Sequence, residues 1–213
     1  SVYNANADPG PYRHDQESIA KRSLKNTCLA YLSELEDRDV RAICVDQYRN
    51  ANNMTDAVAA LANLANNECA EKDEALASFA GKWKDDPLVM DKWFAIQATS
   101  RLPDTLERVK KLMGHSAFSI RNPNKVRSLI GAFTANPVRF HDPSGAGYAF
   151  LADQVLVLDP LNPQIAARLV SAFTMWKRYE EKRKALMRAQ LERIQNAQKL
   201  SKDVYEVVSK SLV

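Results

Sequence analysis

Three histidines, three cysteines and a few carboxylate pairs are the groups in this 213-residue chain that could carry out chemistry. A metallohydrolase helix needs two His four residues apart with a Glu between them. Both imidazoles then meet one ion while the carboxylate activates water. His14, His115 and His141 each stand alone, with no His partner four residues away. Each falls in a predicted loop or at a predicted helix end, where a surface or capping role is expected. Cys28, Cys44 and Cys69 contain no CxxC pair, so no zinc knuckle is expected. Their odd number argues against a disulfide framework and for a reducing compartment. Ser144-Gly145-Ala146-Gly147 is not a G-x-S-x-G elbow, and no Gly-Lys-Ser/Thr follows to make it a P-loop. The expected role of this segment is to let backbone approach the next helix. Asp85-Asp86 and Glu180-Glu181 fall in a turn and on a charged face, so a glycosidase dyad has no support.

The helix starts are more informative. Asn122-Pro123, Asn136-Pro137 and Asn162-Pro163 each place Asn at a cap and Pro at the first helical position. In the third, Gln164 and Arg168 lie at i,i+4 and share a face beside the Leu169–Phe173–Trp176 stripe. In the first, Asn124 and Arg127 lie at i,i+3 beside Val126, Ile130 and Phe133. Both faces fall in the first turns of helices, whose N-termini are electropositive. Arg, Gln and helix-start N–H groups that converge would suit a carboxylate or carbonyl group of a ligand. Surface salt bridges would use the same residue types.

The elements that must position these residues read as helices almost throughout. Residues 1–13 are turn-rich and are expected to form an arm or linker, with a helical domain over 14–213. Ala20, Leu24, Cys28, Tyr31, Leu32 and Leu35 recur at steps of three and four, which predicts a core-facing stripe. After a break at Glu36-Asp37 the pattern repeats in Val40, Ile43, Cys44 and Tyr48. Asn53 can cap a third helix, with Asp56 three residues on. Leu76, Phe79 and Trp83 mark the next helix, which should stop before Asp86-Pro87. Further helices are expected after Pro87, Pro103, Pro123 and Pro163, over about Tyr148–Leu158, and after Ser201. The result is about ten helices joined by short turns. Val155-Leu156-Val157-Leu158 is the best strand candidate, but the residues before it lead in as a helix. Successive antiparallel helix pairs of this kind stack into a solenoid or a bundle. No clean internal repeat is visible.

Composition agrees. Hydrophobic residues make up 46 % and charged residues 26 %, which is enough apolar side chain to build a core and excludes disorder as the main state. Only 6 Gly are present, too few for the turns of a sandwich or barrel. No apolar run approaches the roughly 20 residues that span a bilayer. The net charge of +4 is uneven. Residues 168–213 hold 11 Lys+Arg against 5 Asp+Glu, densest at Lys177–Lys184. Such a run could attract phosphate or acidic lipid. Glu180 and Glu181 lie within three or four residues of Lys184, however, and no aromatics interleave to stack bases. A solvated helix face is therefore expected, with no nucleic-acid partner.

Four segments, taken in order, carry a resemblance. They are Asn52-Asn53-Met54-Thr55-Asp56-Ala57, Leu88-Val89-Met90-Asp91-Lys92-Trp93-Phe94, Asn122 through Phe133, and Asn162 through Leu169. Together with Lys177-Arg178-Tyr179 and Asp203-Val204-Tyr205-Glu206, they resemble the C-terminal domain of M1 zinc aminopeptidases of the bacterial aminopeptidase N type. The similarity runs from about Ser18 to Val213. It implies an all-α superhelical stack, an armadillo- or HEAT-like solenoid, that closes over a catalytic domain and makes an interior chamber. The parent would remove N-terminal residues from peptides. Its zinc and metal ligands would lie in an upstream domain, with no catalytic residue, metal ligand or cofactor in this chain. Positions matching Arg127, Gln164 and Arg168 would face the chamber and help form the pocket beyond the scissile bond. The implied partners are the catalytic domain and peptide substrates, and the implied location is the cytoplasm. Thr134-Ala135-Asn136 and Asp142-Pro143-Ser144 depart from the family pattern, which bears on loop detail. A reading of a different class is a free-standing helical-repeat interaction scaffold.

Overall fold

The computed structural model describes residues 1–8, 10–35 and 37–213. Pro9 of the expected arm and Glu36 of the expected break lie outside the described residues. Among the described residues every regular element is a helix, and ten of them have eight residues or more. The chain forms two compact units, Ser1–Ile96 and Gln97–Val213.

The first unit holds α1 (Val2–Ala5), α2 (Gln16–Ser33), α3 (Arg38–Asn50), α4 (Met54–Leu64), α5 (Ala70–Trp83) and most of α6 (Pro87–Ala98). Local chemistry sets the starts of three of these helices. Asp15 accepts from the Ser18 N–H at 2.8 Å, Asp37 from the Asp39 N–H at 2.7 Å, and Asn53 from the Asp56 N–H at 2.9 Å. Each bond satisfies a donor that the first helical turn leaves unpaired. α4 is the central helix, packed on α2, α3 and α5, and it buries Ala60, Leu61 and Leu64. Leu29, Cys44, Phe79, Met90 and Phe94 complete that core. The Trp93 indole N–H donates to the Leu76 carbonyl at 2.9 Å, so this buried ring keeps its polar atom satisfied.

The expected core stripe of α2 is corrected here. Leu24, Tyr31 and Leu35 are 46 %, 76 % and 68 % exposed, and Ala20 is also exposed. The side of α2 that meets the core carries Ser18, Arg22 and Leu29. A polar network decides the rotation. Asp56 accepts from Lys25 Nζ at 2.7 Å and from Asn26 Nδ2 at 2.9 Å, and both donors lie on the inward side of α2. Gln47 Nε2 donates to Asn26 Oδ1 at 2.8 Å and to the Asp56 carbonyl at 3.1 Å, and the Tyr3 hydroxyl donates to Gln47 Oε1 at 2.9 Å. Burial pushes the Asp56 carboxyl upward, but the bonds from Lys25, Asn26 and Asn53 outweigh it and hold the group below the usual carboxylate range.

The second unit holds α7 (Thr105–Leu112), α8 (Pro123–Val126), a π-helical turn (Arg127–Gly131), α9 (Ala132–Thr134) and α10 (Pro137–Phe140). After these come α11 (Ala146–Leu158), α12 (Pro163–Val170), two short 3₁₀ turns, α13 (Glu181–Gln195) and α14 (Lys202–Leu212). Asn122, Asn136 and Asn162 cap α8, α10 and α12 as the Asn-Pro pattern predicts. α11 is the hub, packed against α10, α12 and α13, and it buries Phe150, Leu151, Ala152, Val155 and Leu158. The segment with the strand-like Val155–Leu158 pattern is helical. A mostly edge-to-face cluster of Phe133, Phe140, Phe150, Tyr148 and Phe173, with one tilted pair between Phe140 and Phe173, fills the space beside it, with ring centroids 5.2–6.2 Å apart.

Gly147 makes this packing possible. A Cβ at this position would lie 2.6 Å from the Phe140 carbonyl oxygen, a backbone atom that cannot move aside cheaply. Gly145 has a φ of 75°, which other residues resist. The expected close approach of backbone at Gly145–Gly147 is thus present. Gly81, inside α5, has open space where a Cβ would be. Gly147→Ala is expected to destabilise the chain by about 1–3 kcal/mol through overpacking. Gly81→Ala should stabilise it by roughly 0.5–1 kcal/mol through helix propensity. Thermal or urea unfolding of both variants checks this, and equal shifts would contradict the packing described.

Candidate functional site

α12 presents two of the three residues of interest. It begins where Asn162 Oδ1 accepts from the Ile165 N–H at 3.2 Å, and it buries Ala166, Leu169 and Val170 between α11 and α14. Gln164 and Arg168, one turn apart, lie on the opposite, exposed side. α14 is fastened by Ser201, whose N–H donates to Asp159 Oδ2 at 2.8 Å and whose hydroxyl donates to Asp159 Oδ1. The Trp176 indole N–H reaches the Ser211 carbonyl at 2.9 Å. Between α12 and α14 runs an open groove of about 810 Å³, lined in part by Gln164, Ala167, Ser171, Asp203, Glu206 and Lys210. Lys210 and Glu206 pair with each other along α14, on one wall of the groove, at 2.6 Å. Arg168 does not line the groove.

Arg127 opens the π-helical turn. Val126, Leu129 and Ile130 turn inward there, while Arg127 and Asn124 remain exposed. A π turn closes its hydrogen bonds over five residues instead of four, which rotates the side chains that follow it, and such turns recur at functional sites. Nothing in Arg-Ser-Leu-Ile-Gly announces it in the sequence. Arg127, Gln164 and Arg168 make no side-chain hydrogen bond or ion pair among the described residues. All three polar heads are therefore free to meet a ligand.

The basic run behaves differently. Arg183 pairs with Glu180 at 2.7 Å, Lys184 pairs with Glu181, and Glu180 also accepts from the Lys182 and Arg183 N–H groups at the start of α13. Two of its five cations are thus paired at i,i+3 spacing, while Lys177, Arg178 and Lys182 make no ion pair among the described residues.

His141 does stand at a helix end, at the C-cap of α10, but its half-buried ring also bridges two tyrosines. Nδ1 lies 2.8 Å from the Tyr148 hydroxyl, Nε2 lies 2.9 Å from the Tyr179 hydroxyl, and the ring stacks on Tyr179 at 4.4 Å. Arg183 Nε donates to the His141 carbonyl at 2.6 Å. Both ring nitrogens are engaged, which leaves neither free to hold a metal. Burial, and then the Arg183 charge, lower the His141 pKa, and burial pushes Tyr148 up to about 12. A neutral imidazole between two hydroxyls, donating to one and accepting from the other, fits this environment. The tyrosines lie 7 and 38 residues from His141, so no local pattern could have revealed the cluster. His115 does cap locally, accepting from the Ala117 N–H at 3.1 Å, and His14 is exposed. Among the described residues no group of three or more His, Cys, Asp or Glu is gathered to hold a metal ion.

Comparison with known proteins shows the family of this chain. The family model described as "Domain of unknown function (DUF3458_C) ARM repeats" matches residues 1–213. The chain belongs to this ARM-repeat family. It is 43 % identical over its whole length to aminopeptidase N of Escherichia coli, and 44 % identical over 95 % of its length to aminopeptidase N of Caulobacter vibrioides. It spans 24 % of each of those proteins, and it aligns with the C-terminal part of such aminopeptidases. A crystal structure of Legionella pneumophila aminopeptidase A in complex with aspartic acid superposes with a TM-score of 0.89 at 37 % identity. That match covers 99 % of this chain and 26 % of that one. The resemblance read from the four segments and the all-helical solenoid fold are both borne out. No helix among the described residues is long and apolar enough to cross a membrane.

The His141 environment has a measurable consequence. The folded state holds this group below its ordinary value of 6.5, so the unfolded chain binds the extra proton first. Stability is expected to be fully present above pH 6.5 and to decline as the pH falls through the folded value. The lowered carboxyls of Asp56 and Asp142 contribute only below their ordinary 3.8. His141→Gln should flatten the stability profile between pH 6.5 and the carboxylate range, as read by unfolding midpoints at stepped pH. An unchanged slope would show that His141 is not the titrating group.

Proposed function

We propose that this chain is the C-terminal helical domain of an M1 metalloaminopeptidase, that it covers the active-site chamber, and that it positions peptide substrates for removal of their N-terminal residues. The observation that carries the reading is the state of Arg127, Gln164 and Arg168. All three are exposed on packed helical elements, and none is spent on an ion pair within the chain.

An unpaired guanidinium on a fixed helix suits a planar carboxylate, because its N–H groups can meet both oxygens at once. In a chamber with little water such a bond is stronger than at an open surface. Gln164 adds a neutral donor and acceptor that can pair with a peptide amide. These groups would bind the part of the peptide beyond the bond being cleaved, holding the reacting end in place while the wall excludes folded proteins. The residues here do not fit a zinc site, since His141 is engaged on both nitrogens and no acidic or histidine cluster is gathered among the described residues. The zinc of such an enzyme would be held by other residues of the longer protein, and no step is derived through it. The three cysteines are free, in keeping with a cytoplasmic location.

In the intact enzyme, Arg168→Ala is expected to raise KM for peptides more than for single-residue chromogenic substrates. A loss of about 1–3 kcal/mol corresponds to one charged hydrogen bond. Steady-state kinetics on both substrate types checks it. Equal effects on the two would mean that Arg168 does not touch the leaving peptide.

A further inference from the structure

In the first unit an open cavity of about 560 Å³ lies where α3 finishes, α4 begins and α5 finishes. Met54, Ala57, Phe79 and Trp83 give it an apolar wall, and its two charged residues are both basic, Arg49 and Lys82. Among the described residues no acid lines it. Each base stands in the last turn of its own helix, where it complements the negative helix end. That explains each one alone, but not their meeting on one cavity from two different helices. Neither is spent on the fold. Lys82 makes no ion pair among the described residues, and its Nζ lies 5.4 Å from the centre of the Trp83 ring. Arg49 meets Glu74 loosely, at 3.8 Å, with side chains 66 % and 70 % exposed, and such a pair is worth little. Trp83 supplies an independent sign. The N–H of a buried indole normally has a partner. Trp93 and Trp176 donate to the carbonyls of Leu76 and Ser211, each at 2.9 Å. Half-buried Trp83 donates to nothing among the described residues.

We infer that this cavity is a binding site for an aromatic carboxylate, whether a free acid or the last residue of a peptide. A guanidinium can meet both oxygens of a planar carboxylate at once, and the Lys82 ammonium and the indole N–H of Trp83 add donors. The ring of the ligand packs against Trp83 and Phe79, where aromatic pairs gain more than their buried area. A bare inorganic anion would leave the apolar wall unused, and a cation would be repelled by Arg49 and Lys82. The volume falls within the roughly 300–1,000 Å³ of small-molecule sites. The walls are held by the fold before any ligand arrives. Phe79 is part of the core, and Asn53, which also lines the cavity, fixes the start of α4 by accepting from the Asp56 N–H at 2.9 Å. Arg127, Gln164 and Arg168 belong to the second unit, so the site does not depend on the peptide-positioning role.

The test is calorimetric titration of the intact polypeptide with N-acetylphenylalanine, whose blocked amine keeps it from being an aminopeptidase substrate. Saturable binding in the millimolar range or tighter is expected. N-acetylphenylalaninamide and acetate should each bind at least roughly 10-fold more weakly, the loss of one charged hydrogen bond or of the ring contact. Arg49→Met combined with Lys82→Met should weaken the acid by a similar factor with little change in the unfolding midpoint, since both side chains are exposed. Ala57→Met, which fills the cavity from its wall without altering charge, should also abolish binding and serves if the double variant folds poorly. Tighter binding of an N-acetylated tripeptide ending in Phe would mark a peptide end as the ligand, and equal binding a free acid; both support the site. Absence of saturable binding, equal binding of acid and amide, or binding that survives the double variant would overturn it. Binding lost in Arg168→Ala but kept in the double variant would overturn this site and leave the peptide-positioning role standing.

Discussion

The approach of Gly147 to the Phe140 carbonyl is the constraint on which the second unit depends. It brings the first turn of α11 against the backbone of α10, and a side chain at that point would push the two apart. With the helix ends this close, Phe140 reaches Tyr148, and Phe133 reaches Phe140 and Phe150, in edge-to-face contacts, and Phe140 meets Phe173 in a tilted one. Helices as short as α8, α9 and α10 are not stable alone, since nucleation costs more than so few hydrogen bonds return. Their order comes from this aromatic core and from the Asn caps. α11 in turn supports α12, so the exposed positions of Gln164 and Arg168 follow from a contact made some twenty residues earlier in the chain.

Polar groups buried in this way fix position more than they add stability. Asn136 donates to the carbonyls of Ala98 and Ser100 at 3.2 and 2.7 Å, closing a turn that packing alone would leave undirected. Asp159 plays the same part for Ser201 and α14. In the first unit, Asp56 ties α2, α3 and α4 through Lys25, Gln47 and Asn53. Removing one partner from such a network leaves a buried group unsatisfied, so the geometry is held tightly even where the net energy of each bond is modest. The cost of that arrangement in the first unit is visible on α2, where Arg22, Lys25 and Asn26 are turned inward while Leu24 and Tyr31 are exposed.

Charge is divided between groups that serve the fold and groups left over. The basic run near α13 looks in composition like an anion-binding patch, yet both of its acids are paired with cations of the run, Arg183 and Lys184. Arg183 goes further, bonding the His141 carbonyl and lowering the tendency of that ring to protonate. Arg127 and Arg168, in sparser surroundings, keep their charge unspent. Where a cation has no acid within one helical turn, it remains available for something outside the chain.

Helical class, the Asn-Pro starts, the capping role of Asn53 and Ser201, and the close approach at Gly145–Gly147 were legible in the sequence because each follows from interactions within a few residues. Family membership was legible too, because four ordered segments carried it. The outward rotation of α2, the π turn at Arg127 and the tyrosine bridge at His141 were decided only in three dimensions. Periodicity shows that a helix has an apolar face but not which body covers it, and the Asp56 network that turns α2 joins residues 9 to 31 positions apart. A π turn needs only one extra residue in the helical repeat, a change that packing against Leu129 and Ile130 can absorb and residue types do not signal. The bridge at His141 depends on Tyr179, which the fold returns to it from 38 residues away, a separation at which sequence spacing carries no geometric information.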